Sequence, residues 1–538
     1  MKHYFILLVI VLFTSCGTKE KTIAALIEVD QATIGKHIQS LASDEFLGRK
    51  PFTEGEVKTV TYLKDEFEKL GLSPGNGDSF FQEVPMVEIT GTPTEKMVIS
   101  GKGGSFNLDL LKDFVATTNK AVTNVSLDNS ELVFAGYGIV APEYDWNDYE
   151  GIDWKGKTAV VLINDPGFQS GDSTLFKGNE MTYYGRWTYK YEEAARQGAD
   201  GLIIIHDTEP ASYGWNVIES GWSGAKLIIE SDLPLLDVES WISGESAQSI
   251  FDASIMKGED YKTLARSKEF KPISLDLNVS VAIQNKIKKD VSKNVIALIP
   301  GTDKKDEVII YSAHWDHFGI GKAINGDSIY NGAVDNASGT AGLLAIAEAL
   351  KNSKPTKRSI AFIAVTGEEQ GLLGSAYYAE NPIFNPKKTV ANINIDALSS
   401  PGKMKDLTIT GFGQSEMDEY AEAAAFEQDR YIIPDPDAEK GYFFRSDHFN
   451  FAKIGIPALY ASGSHEGFDM SIKEIKKMKA DYLTHIYHQP SDEYDPETTE
   501  LSGVQFDLQL FYNVGLRLAN EDYFPKWYDG SEFKAARK

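Results

Sequence analysis

The chain has 538 residues, which exceeds one compact core and implies two or three folded units of roughly 100–200 residues each. With 42% hydrophobic and 11% aromatic residues it can bury sizeable cores, so a disordered or fibrous chain is excluded. The formal net charge of −26 argues against nucleic-acid binding and against adhesion to anionic lipid, both of which need clustered Lys and Arg.

At the N-terminus Lys2 and His3 precede an uncharged apolar run, Tyr4 to Phe13. That run is shorter than the about 20 residues of a spanning helix and fits the core of a signal peptide. Phe13-Thr14-Ser15-Cys16-Gly17 resembles a bacterial lipobox, in which the cysteine becomes the lipidated first residue. Cys16 is the only cysteine, so no internal disulfide can form. The expectation is a lipoprotein signal over 1–16, a tether over 17–33 and a mature protein exported to a bacterial cell envelope, anchored to the membrane through Cys16 rather than spanning it.

Residues 34–72 read as two helices around a loop. Thr53 or Glu54 starts the second, and Val57, Val60, Leu63, Phe67 and Leu70 recur at helical spacing until Gly71. Strands are expected through 80–126. From about 127 the texture changes: a strand at Thr158–Asn164, a helix at Tyr191–Gln197 and a strand at Leu202–Ile205 make a small α/β unit ending near 270. Beyond 285 a second alternation begins, with strands at Val308–Ser312, Ser359–Val365, Val390–Ile395 and Ala458–Ala461 and an Ala- and Leu-rich helix at Ser338–Leu350. Such alternation predicts an α/β fold whose mainly parallel, mixed sheet is covered by helices on both faces.

Polar residues gather where these strands stop, the place where open α/β sheets bind ligands. His314 and Asp316 follow the first strand, Glu368 and Glu369 the second and Asp396 the third. Asp335 sits in the tight loop Asn331–Gly339, where a helix cap or a turn would equally explain it, and His488 lies in a later loop. An ionised carboxylate at the end of a buried strand is costly unless paired or bound to a metal. Two histidines and three carboxylates suit zinc better than magnesium or calcium. They suffice for two zinc ions that share Asp335, one held by His314 and Asp396 and the other by Glu369 and His488. Glu368 would then face a bound water, and Asp316 would shape the site from behind.

In order and spacing these segments resemble the M28 zinc peptidases, the co-catalytic aminopeptidase family. The matching stretches are His314-Trp315-Asp316, Gly332–Gly339, Thr366–Ser375, Asn394-Ile395-Asp396 and His488–Asp492, with Arg445–His448 before Gly455-Ile456-Pro457 and, far upstream, Leu41–Arg49. One departure is Ala397, where many relatives carry Met. The resemblance implies a dizinc aminopeptidase acting on peptides with a free N-terminus, with Glu368 as general base, Asp316 beside it, and Arg445, Ser446, Asp447 and His448 near substrate. It also implies a division into 34–126 and 285–525 as the peptidase domain and 127–270 as an inserted protease-associated (PA) domain. Rival readings are a single-zinc glutaminyl cyclase of similar fold, a carboxypeptidase-type relative using Arg445, and a non-catalytic relative like the transferrin-receptor ectodomain, in which the metal residues are degraded. Here all five are present. Nothing in the sequence signals an oligomeric state.

Overall fold

A computed structural model describes residues 27–398 and 401–537; Cys16 and the signal segment lie outside the described residues. The helices Gln31–Leu41 and Glu54–Lys69 open the described chain. Asp30 caps the first by accepting from Thr33 N, and Thr53 caps the second by accepting from Gly55 N. The second helix buries Val60, Leu63 and Phe67 as its periodicity predicts, but Val57 is 63% exposed. Residue 57 lies off the stripe formed by Glu56, Thr59, Val60, Leu63 and Phe67, so its side chain turns to solvent.

The main sheet contains strands β1 (Phe81–Pro93), β2 (Ile273–Ile299), β3 (Lys304–His314), β4 (Arg358–Val365), β5 (Thr389–Asn394), β6 (Asp406–Ile409), β7 (Tyr431–Pro434) and β8 (Ala458–Ser462). Their spatial order is β1-β2-β4-β3-β5-β8-β6-β7. β4, β3, β5 and β8 run parallel, while β2 joins β4 antiparallel and β6 joins β8 antiparallel. The sheet is therefore mixed with a parallel centre. β4 is buried along its whole length, as a central strand covered on both faces must be. One face carries the helices Gln31–Leu41, Glu54–Lys69, Ser338–Asn352 and Ser502–Asn520 over a core that includes Ile309, Phe362, Leu344 and Phe511. On the other face Tyr378, Phe451 and Ile456 pack against Ile310 and Ile363.

A second unit grows from the long strand β2. Its parallel strands Lys157–Leu162, Gly201–Ile205 and Val238–Ile242 lie side by side, with Asn124–Phe134 parallel to the first. Met97, Ile99, Leu108 and Phe114 share one core with Phe134, Ile203 and, from β2, Val279 and Ile283. The unit thus begins about thirty residues before the expected boundary at 127, and it ends inside β2 rather than at 270. The alternating pattern of 96–117 marks strands but does not say which sheet they join. Among the described residues no helix is long and apolar enough to cross a membrane.

Candidate metal centre

β4, β3 and β5 are adjacent and parallel, so their carboxyl ends deliver Glu368 and Glu369, His314, and Asp396 to one place. Asp335 comes from the loop before the helix Ser338–Asn352. Gly332 opens that loop at φ 54°, and a side chain there would collide with the His317 ring. The loop is pinned to β5: Asn336 Nδ2 donates to Ile395 O at 3.0 Å, and its Oδ1 accepts from Gly339 N and Ala397 N. Asp492 holds the other side by accepting from Val334 N and Asp335 N at 3.0 and 3.1 Å.

The structure brings the five expected ligands together. His314 Nε2 lies 3.2 Å from Asp335 Oδ1 and 3.2 Å from Asp396 Oδ1. His488 Nε2 lies 3.2 Å from Asp335 Oδ2 and 3.4 Å from Glu369 Oε2. Asp335 therefore turns one oxygen to each histidine. Two groupings of side chains could hold an ion, His314-Asp335-Glu369 and His314-Glu368-Asp396.

Hydrogen bonding tests whether a cation fits. His314 Nδ1 is 3.1 Å from the Asp316 carbonyl, which can only accept, so Nδ1 carries the proton of the neutral ring. Nε2 then presents a lone pair to two carboxylate oxygens, an arrangement that repels unless positive charge lies among them. Zinc bonds of about 2.0–2.2 Å in a tetrahedral shell set ligand atoms roughly 3.3–3.6 Å apart. The 3.2–3.4 Å separations match that spacing closely. Nitrogen and carboxylate donors together suit zinc.

The electrostatics carry the same imprint. Burial, reinforced by neighbouring carboxylates, pushes Glu368 and Glu369 well above the usual range, with His314 opposing. Burial disfavours charge on His314, yet Glu368, Asp396 and Asp335 outweigh it and hold its imidazolium well above an ordinary histidine. Asp335 is also opposed by burial, but His314 and His488 hold it far below the usual carboxylate range. A buried cluster richer in acids than in bases is a cation site in want of charge.

Other residues position this set. Asp316 accepts from Glu368 N at 3.1 Å, and its second oxygen is buried without a partner, so it sets the backbone that aims Glu368. His317, which sequence reading passed over, is fully buried and lies 2.6 Å from Glu369 Oε1, leaving Oε2 for the His488 side. Its only signal was a second His in the same strand-end loop. Arg49 is 1% exposed and donates to the carbonyls of Trp315, Leu41, Asn331 and Gly332. One buried guanidinium thus clamps both ligand-bearing loops. Tyr487 stacks on His488 at 3.7 Å.

Ser446, Asp447 and His448, expected near substrate, are all buried: none is more than 2% exposed. Ser446 Oγ donates to Asp396 Oδ2 at 2.5 Å, Asp447 accepts from Ser375 Oγ at 2.5 Å, and His448 lies between the rings of Phe443 and Tyr460. They brace the centre from behind. Arg445 alone of the four is exposed.

An α/β sheet with nitrogen and carboxylate ligands at the ends of adjacent parallel strands defines a protein with a candidate zinc centre. Residues 294–509 match the model of Peptidase family M28. Leucine aminopeptidase 2 of Trichophyton rubrum is 29% identical over 269 residues, 48% of this chain and 50% of that protein. Leucine aminopeptidase 2 of Trichophyton equinum is 31% identical over 272 residues, 49% and 51% of the two chains. The chain spans about half the length of the curated relatives it matches. Among solved structures, the aminopeptidase from Aneurinibacillus sp. strain AM-1 aligns over 92% of this chain and 96% of its own at 20% identity, with a TM-score of 0.48.

Proposed function

We propose that the protein is a zinc-dependent aminopeptidase that removes N-terminal residues from peptides, with two zinc ions sharing Asp335. The observation that carries this reading is the Asp335 carboxylate, whose two oxygens stand 3.2 Å from the Nε2 atoms of His314 and His488. His314 and Asp396 would complete one site, and Glu369 and His488 the other. Zinc held there would supply Lewis acidity, lowering the pKa of a water and polarising a carbonyl.

The chain's own groups do the rest. Glu368 stands 4.0 Å from His314 Nε2, just beyond the ligand separations, with its carboxylate uncommitted to any hydrogen bond among the described residues. With a cation beside it offsetting the burial that raises its pKa, its carboxylate would accept a proton from the attacking water and return it to the leaving amine. The excess of carboxylates suits a positively charged substrate amine.

The family match supports a peptidase, and the similarity to leucine aminopeptidases supports aminopeptidase activity. Export and anchoring at Cys16 belong to the same proposal and rest on the apolar run before it; incorporation of labelled fatty acid, lost in Cys16→Ser, tests them. The second unit, whose parallel strands and texture motivate the PA-type reading, would flank the entrance to the site.

The decisive experiment pairs hydrolysis with metal counting. Aminoacyl substrates with free and with blocked amines are offered to the protein, and zinc is counted in the same sample. Cleavage of free-amine substrates only, with about two zinc ions per chain, is expected. One zinc with cyclisation of N-terminal Gln would replace this reading by the cyclase.

A further inference from the structure

We propose that Arg186 and Arg445 form a subsite for a carboxylate of the peptide substrate, on the seam between the second unit and the metal centre. The inference rests on the aminopeptidase reading and adds a substrate class to it.

The seam is well defined. Met181 N donates to Ala438 O at 3.3 Å, Tyr183 N donates to Glu532 Oε1 at 3.1 Å, and the rings of Tyr183 and Phe449 meet at 5.1 Å. Arg186 leads from this contact into the helix Trp187–Arg196. Arg445 comes from the facing loop, one residue before Ser446, which bonds Asp396. A single chain step of about 3.8 Å therefore separates it from a brace of the metal centre.

Neither guanidinium has a counterion among the described residues. Arg186 Nε is buried and lacks any hydrogen-bond partner. Arg445 makes one hydrogen bond, from Nη2 to Lys440 O at 2.7 Å, and lies over the Tyr442 ring at 5.0 Å. The rings of Tyr183, three residues before Arg186, and Phe444, the residue before Arg445, lie 6.2 Å apart; burial and then Arg445 push Arg186 down to about 10, and only Tyr213 opposes them.

Three acids of the seam are engaged elsewhere. Glu532 pairs with Lys177, Glu192 with Lys453, and Asp437 with Lys440. In a chain with 79 acidic against 53 basic residues, two adjacent arginines left without a carboxylate stand out. Guanidinium is the side chain best shaped to receive one. The carboxylate comes either from the C-terminus of a short peptide or from an acidic side chain beyond the scissile bond.

The test uses the full protein and three leucyl peptides: a tripeptide acid, its C-terminal amide, and an amide with Glu at the second position. Wild type is expected to favour one or both carboxylate-bearing peptides about tenfold in kcat/KM, and which of them shows the preference identifies the source. R445Q and R186Q should erase that preference through KM, leaving kcat and cleavage of the uncharged amide unchanged. Because R445Q removes one of two like charges, its Tm should not fall. Calorimetric binding of the N-acetylated tripeptide acid, measured against its amide, reads the subsite without turnover. Equal turnover and equal binding of acid and amide by wild type, or a preference that survives in both variants, would overturn the subsite. Absence of cleavage of every free-amine peptide would instead remove the aminopeptidase reading, and the calorimetry would still decide whether the arginines take a carboxylate.

Discussion

Glu368 and Glu369 are adjacent and chemically identical, and their surroundings give them different work. Glu369 has both oxygens engaged, one by His317 at 2.6 Å and the other near His488 at 3.4 Å, whereas Glu368 is tethered only through its backbone N–H to Asp316. Glu368→Gln is therefore expected to keep its zinc and lose about 10²–10⁴-fold in kcat. Glu369→Gln should lose zinc from one site. If Glu368→Gln turns over normally with its metal intact, Glu368 is not the base. Sequence reading could place both carboxylates at a strand end but could not see His317, because a histidine three positions on in a loop has no periodicity to betray its direction. Nor could it see that Ser446, Asp447 and His448 are buried, because a polar cluster in a loop carries no signal of which side chains turn inward. His448 also makes the fold sensitive to acid. Burial holds it down to about 3, while an unfolded histidine titrates near 6.5. The unfolded state thus takes up the proton first as pH falls below 6.5, and stability is lost from there toward 3. At pH 5.5 the loss from this ring is roughly 1 kcal/mol. His448→Phe keeps an aromatic ring between Phe443 and Tyr460 and should shrink the fall in urea midpoint between pH 7.5 and 5.5; an undiminished fall would assign the acid sensitivity elsewhere.

At the scale of elements, the site depends on how one helix is seated. Twelve of the fifteen residues of Ser338–Asn352 are buried, so the helix is fixed by the sheet below and by Gln31–Leu41 and Ser502–Asn520 beside it. Gly339 gives it room. A methyl there would collide with Asn336 Oδ1 and the Ile395 carbonyl, the two groups that join the Asp335 loop to the end of β5. Gly339→Ala should therefore weaken zinc binding while far-UV circular dichroism stays native; unchanged zinc affinity would show that the loop can shift without cost. Arg49→Lys should be harsher. An ammonium cannot span four carbonyls on separate segments, and each buried acceptor left open costs about 1–3 kcal/mol. The parallel centre was legible because β3, β4 and β5 each carry a mostly apolar stretch, Val308–Tyr311, Ile360–Val365 and Val390–Ile393, shortly before a His, Asp or Glu. The helix Ser502–Asn520 was also open to reading, since Val504, Leu508, Phe511, Val514 and Leu518 recur at helical spacing. β6 and β7, of four residues each, are too short to carry a pattern, and their places are set by β8 and by each other.

For the whole molecule, a 27-residue strand binds the two units: β2 serves the core of the second unit with Val279 and Ile283 and the main sheet with Val295 and Ala297. That shared strand is why the boundary was not readable: the chain stays in one strand from the second unit's core to the main sheet, with no turn or linker to mark where its partners change. It also concentrates the effect of metal on one part of the molecule. Asp335, Glu368, Glu369 and Asp396 converge on the ends of the main sheet, whereas the second unit has an apolar core of its own. Without a cation, the repulsion among these carboxylates is offset only in part, by the histidines and the buried Arg49 guanidinium. Zinc bound to the native state alone stabilises it by about 2.7 kcal/mol when free zinc is one hundred times its Kd. Chelation should therefore lower the Tm by several degrees, and restored zinc should recover it. In Asp335→Asn, which removes the shared carboxylate charge, the zinc-dependent shift should shrink sharply. If unfolding is followed at a tryptophan of the second unit, such as Trp241, and separately through the main sheet, the chelated protein should lose the main sheet first. Coincident transitions with and without zinc would mean that β2 couples the two cores into one cooperative unit, and the metal's contribution would then be spread over the whole chain.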